Sequence, residues 1–152
     1  MRQMAAPSGR PPRSGQAAKG RNKTAPPPRP VPVVRPRSYA AIDLGTNNCR
    51  LLIARPQEGE LVVIDAFSRI VRLGEGLHST GRISEAAMDR TVAALAICAD
   101  KLRRRHVTLS RAVATEACRR AANGVELADR VRRETGIVLD IISAAEEARL
   151  AA

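Results

Sequence analysis

From Ser84 onward the chain carries an apolar stripe that only one kind of backbone can bury. Met88, Val92, Leu95, Ala99 and Leu102 recur at spacings of three and four, which puts them on one face of an amphipathic helix. Ser84 supplies an N-cap. Glu85 at the start and "KLRRR" at the end complement the helix dipole. Such a helix needs an apolar surface to lie on, and the flanking sequence provides one. Upstream, "YAAID", "RLLIARP" and "LVVIDAFSRIVRL" are short apolar runs separated by a Gly-containing turn and by "QEGE". Three consecutive strands with tight connections predict an antiparallel meander. "GEGLHSTGR", with three glycines, reads as a loop. Downstream, "LSRAVAT" reads as a strand. "NGVELADRVRRETG" reads as a helix with Asn123 and Glu126 as a capping-box variant and Gly136 as its stop. "IVLDIIS" is a strand, and "AAEEARLAA" opens a helix. Strands alternating with helices imply parallel neighbours joined by crossovers. The fold class is therefore α/β: a mixed sheet, meander first, then β-α-β-α-β units.

Charge divides the chain differently. Residues 1–37 hold nine basic and no acidic residues, leaving 17 of the 26 basic residues against all 15 acidic ones in the remainder. The net charge of +11 thus belongs to the first segment. That segment is rich in Pro, Gly, Ser and Arg and lacks apolar periodicity, so residues 1–38 are expected to be a disordered basic tail, with order from Tyr39 to Ala152. Arg2 is followed by no apolar stretch of a secretory signal. No apolar run reaches the length of a membrane span, and a cytoplasmic protein is expected. Cys49, Cys98 and Cys118 match no metal-ligand spacing and are expected to be reduced, partly buried thiols. With Tyr39 and Phe67 the only aromatic residues, a base-stacking platform would be hard to build. Nucleic-acid binding then rests on charge alone. His78 and His106 stand isolated and read as surface or loop residues.

The turn after the first strand is richer than a hairpin needs. Asp43, Gly45, Thr46, Asn47 and Asn48 crowd "AIDLGTNNCR". Small hydroxyl and amide donors, with glycine where the main chain must come close, suit an anion such as phosphate. A carboxylate beside them makes sense if it orders a water or holds a metal that bridges to the phosphate.

Four segments in order, "AIDLGTNNCRLLIA", "SRIVRLGEGLHSTGRISEAAMDRTVAAL", "VATEACRRAANG" and "IISAAEEARLA", resemble the exopolyphosphatase and guanosine pentaphosphate phosphatase (Ppx/GppA) family. That family belongs to the actin-like, ribonuclease-H-like superfamily. The resemblance covers residues 39 to 152. Asn48 stands where the family usually has Ser, and the family continues into a second Gly-rich phosphate motif, so the chain resembles a truncated N-terminal portion. The resemblance implies an actin-like fold incomplete at its C-terminus. It implies hydrolysis of the terminal phosphate of inorganic polyphosphate, or of the 5′ phosphate of guanosine pentaphosphate, and Mg²⁺ to offset substrate charge. The full-length parent is a candidate homodimer, and the 152-residue chain alone is expected to be inactive. By the same resemblance Asp43, Gly45, Thr46 and Asn47 line the phosphate pocket, with Asp43 the best metal ligand. Arg119 contacts phosphate and Glu147 is the catalytic base. Arg120 and Glu146 are their adjacent competitors. The alternative function is a non-catalytic nucleotide- or polyphosphate-binding module.

Overall fold

The structure, a computed structural model, describes residues 37–152; the expected disordered tail lies almost wholly outside the described residues. Five strands form one sheet in the order β3-β2-β1-β4-β5. Strand β1 is Tyr39–Leu44, β2 Asn48–Gln57 and β3 Glu60–Ile70, each antiparallel to its neighbour in this series. Strands β4, Leu109–Ala114, and β5, Leu139–Ile141, run parallel to β1. The link between β2 and β3 is a two-residue turn in which Glu58 (φ 51°) and Gly59 (φ 89°) both take positive φ. This backbone matches the twist of a hairpin. A bulge between Ile53 and Ala54 shifts the β2–β3 register.

Alternation along the strands assigns the two sheet faces. Ile42 and Leu44 of β1, Cys49, Leu51 and Ile53 of β2, and Ala112 and Ala114 of β4 are buried on one face. The helices on that face are α2, Glu85–Arg104, and α4, Gly124–Thr135. Helix α2 buries Met88, Val92, Leu95 and Ala99 as its periodicity demands, and α4 buries Leu127 and Val131. The Ser84 hydroxyl accepts from the Ala87 N–H, the N-cap read from sequence, and Gly136 ends α4 at φ 77°. His106 also has a structural post: at φ 52° it turns the chain out of α2, and the Val107 N–H closes back on the Leu102 carbonyl at 3.0 Å.

Three expectations change. The segment "GEGLHSTGR" is not wholly loop: Leu77–Thr80 make one helical turn, α1. Leu77 is buried, and the Gly76 carbonyl gathers the Thr80 N–H and the Ser79 and Thr80 hydroxyls. Asn123 makes no side-chain cap on α4. Its amide instead brackets Ile83, accepting from the Ile83 N–H at 2.8 Å and donating to the Ile83 carbonyl at 2.9 Å. A long-range pair of bonds has taken the group that a local cap would use. The strand expected over 137–143 shrinks to three residues, with Ile137 and Ile142 buried at its flanks. Two further helices complete the chain: α3, Glu116–Arg120, and α5, Ala144–Ala151, whose N-cap is the Ser143 hydroxyl.

Candidate phosphate site at the sheet edge

Strands β1, β4 and β5 are parallel, so their C-terminal ends share one edge of the sheet. The next residue of each chain path therefore meets the others. The Thr115 N–H, just past β4, donates to the Leu44 carbonyl at the end of β1 (3.1 Å), and the Ile142 N–H, just past β5, donates to the Ala114 carbonyl (3.1 Å). On the sheet face away from α2 and α4 lies a cleft of about 880 Å³. Asp43, Arg50, Arg111, Thr115 and Glu147 line it over a floor that includes Leu52, Ala66 and Val113. Asp43 is reached because it alternates with buried Ile42 and Leu44. Glu147 is reached because α5 starts where β5 ends.

The turn 45–48 is closed by backbone alone, the Gly45 N–H donating to the Asn48 carbonyl at 2.9 Å. It is fastened to the segment after β3. The Asn47 carbonyl accepts from the Val71 and Arg72 N–H groups (2.8 and 3.0 Å), and the Thr46 carbonyl from the Gly74 N–H (2.9 Å). A Cβ on Gly74 would lie 2.4 Å from the Thr46 methyl, so glycine permits this close approach. Among the described residues, no intramolecular hydrogen bond uses the side chains of Asp43, Thr46, Asn47 or Asn48. Their polar groups are surplus to the turn, as the sequence suggested. Gly45, Thr46 and Asn47 do not line the cleft itself; they stand at its β1 end, next to Asp43.

The two pairs of adjacent charges separate. Arg119 donates to the Ile142 carbonyl at 2.8 Å and to the Glu147 carboxylate at 3.3 Å. Arg120 pairs with Glu116 one helical turn back. Glu147 lines the cleft. Glu146 is bound by Arg149 (2.8 Å) and Arg111 (3.3 Å). The Arg149 hydrogen bond, with Arg111 adding to it, pulls the Glu146 carboxyl down to about 2. A carboxylate held that acidic is a poor proton acceptor near neutrality. Thr115 was not singled out by sequence: it closes the strand "LSRAVAT", and only the β1–β4 pairing puts it beside the turn 45–48.

The cysteines are free and fully buried rather than partly so. The hydrogen bond with the Cys98 thiol, together with burial, pushes Cys49 upward. Burial alone pushes Cys118 up to about 11. The Cys98 thiol is shifted the other way by the same bond with Cys49, but all three lie buried in the core without access, which makes them packing residues. No described helix is long and apolar enough to cross a membrane.

Fold and cleft together define a class: a mixed-sheet α/β lobe with carboxylates and a donor-rich small-residue turn gathered on one sheet edge. A family model of the Ppx/GppA phosphatases matches residues 52–152. A solved Ppx/GppA family member from Aquifex aeolicus is 37% identical, with a TM-score of 0.73 over 76% of this chain and 38% of its own. A solved exopolyphosphatase from Cytophaga hutchinsonii is 32% identical, with a TM-score of 0.72 over 75% of this chain and 36% of its own. The chain belongs to the Ppx/GppA phosphatase family. It spans less than two fifths of the length of these solved relatives.

Proposed function

We propose that this lobe serves a phosphohydrolase that removes the terminal phosphate of inorganic polyphosphate or the 5′ phosphate of guanosine pentaphosphate. The observation that carries the reading is the placement of Glu147. It faces the cleft that also holds Asp43, with Arg119 at 3.3 Å, while its neighbour Glu146 is consumed by two arginines. A water attacking the terminal phosphorus in line must lose a proton, and a fixed carboxylate accepts it. Glu147 takes that role. Thr46 and Asn47 offer donors to phosphate oxygens, Gly45 lets a phosphate approach the main chain closely, and Arg119 offers a guanidinium fork.

Mg²⁺ fits this donor set in one manner only. No cluster of three or more His, Cys, Asp or Glu among the described residues would cage a metal. Mg²⁺, however, commonly binds through one or two carboxylates plus substrate phosphate and water, and the unbonded Asp43 carboxylate suits that. When bound it would offset negative charge on the phosphates.

The test is steady-state phosphate release from both substrates by an active phosphatase carrying this lobe. Glu147→Gln keeps size and hydrogen bonding but removes the proton acceptor. Turnover should fall by on the order of a hundredfold to ten-thousandfold, with substrate affinity little changed. Glu146→Gln should behave nearly as the parent. Retained turnover in Glu147→Gln, or an inactive Glu146→Gln, rejects the assignment.

A further inference from the structure

Thr115 is a buried polar residue whose hydroxyl the fold leaves almost unused. It is 7% exposed, yet it lines the cleft. Helix α3 begins at the next residue, but the Thr115 side chain caps none of its N–H groups, which is the usual employment of a Thr in that place. Its one intramolecular bond, Oγ1 to the Leu44 carbonyl, is at 3.5 Å, the limit of such an interaction. That carbonyl already accepts the Thr115 N–H at 3.1 Å. A buried hydroxyl without a good partner costs stability, so the group has another use.

Its surroundings indicate which. Leu44 joins Asp43 to Gly45, so Thr115 abuts the start of the phosphate turn. The Thr115 carbonyl accepts the Arg119 N–H at 3.1 Å, placing the root of that arginine one helical turn away. Glu147 lines the same cleft. Thr115 thus adjoins the turn through Leu44, is tied by backbone to Arg119, and shares its cleft with the carboxylate that would receive a proton. We infer that Thr115 is a further phosphate-contact residue, its Oγ1–H donating to a non-bridging oxygen of the terminal phosphate. The inference rests on the phosphohydrolase reading above and adds a donor from β4 to those of the turn and α3.

The test uses the 152-residue chain, with tripolyphosphate and Mg²⁺ as the probe. Affinity is measured by calorimetric titration, and Thr115 is followed by NMR in the unsubstituted chain. Thr115 signals should move on titration. Thr115→Val, nearly isosteric, should weaken binding about tenfold to a hundredfold, the usual loss for a hydrogen bond to a charged group. Thr115→Ser should restore binding, and Thr46→Val should weaken it independently. If the parent chain binds no tripolyphosphate, the phosphate reading and this inference both fall. If the parent binds and Thr46→Val weakens it, yet Thr115→Val binds as the parent or the Thr115 signals stay fixed, the inference alone falls.

Discussion

The bracket of Asn123 on Ile83 gives the sharpest stability prediction. Asn123 is 5% exposed and Ile83 3%, and the two side-chain bonds of 2.8 and 2.9 Å satisfy both backbone groups of Ile83. Truncation to Ala strands a buried N–H and a buried carbonyl. Each costs about 1–3 kcal/mol when left unsatisfied, so Asn123→Ala should destabilise by roughly 2–6 kcal/mol. That is a large share of the ~5–15 kcal/mol a domain of this kind has. Urea unfolding followed by circular dichroism, with a slope of about 1–3 kcal/mol per molar, should show the midpoint fall by about 1 M or more. Asn123→Asp separates the bracket from a plain helix cap. Asp is as good an N-cap as Asn, so a cap would tolerate it. Here Asp would turn an acceptor toward the Ile83 carbonyl and bury a charge, so the loss should match or exceed that of Ala. A loss under about 0.5 kcal/mol for Asn123→Ala, or an Asn123→Asp as stable as the parent, would refute the reasoning.

Gly124→Ala should prevent or severely weaken folding, because its Cβ would sit 2.0 Å from the Cys118 carbonyl oxygen, a backbone atom that cannot swing away; soluble yield and thermal unfolding check this. Asp65 is held at about 2, below its ordinary 3.8, by hydrogen bonds from Lys101 and then Arg105. Its folded pKa is depressed, so its contribution is present above about pH 4 and is lost as pH falls through about 2. Asp65→Asn should therefore lower Tm at pH 7, and the gap from the parent should close on acidification to about pH 2; a gap independent of pH would show the ion pairs to be idle.

The parts of the fold that were legible in sequence are those fixed within a few residues. Met88, Val92, Leu95 and Ala99 face the core because helical spacing leaves them no alternative. Ser84 caps because the N–H group it serves lies three residues on. What escaped was set by partners far along the chain. Asn123 carries a cap-like pattern, but its partner Ile83 is 40 residues away. Thr115 gains its place from Leu44, 71 residues away. Adjacent Arg119 and Arg120, like Glu146 and Glu147, are interchangeable in a list of residue types. They part only when α3, β5 and α5 are set side by side, and Arg119 finds the Ile142 carbonyl.

The strand order explains why one lobe of mixed sheet suffices to bring these groups together. The β1–β2 hairpin alone could place the turn 45–48 at a sheet edge, but its partners would return in the opposite sense and carry no second element to that edge. Adding β4 and β5 parallel to β1 reverses this: each crossover helix returns the chain to the far end, so each strand again points its C-terminus at the turn. Thr115 follows β4, and Ile142 with α5 follows β5. The antiparallel half thus supplies donors through a tight connection, and the parallel half supplies the hydroxyl, the arginine and the carboxylate through successive strand ends. The shortness of β5 belongs to the same design. Ending at Ile141, it frees the Ile142 carbonyl to receive Arg119, so the guanidinium is held by backbone on one side and meets Glu147 on the other.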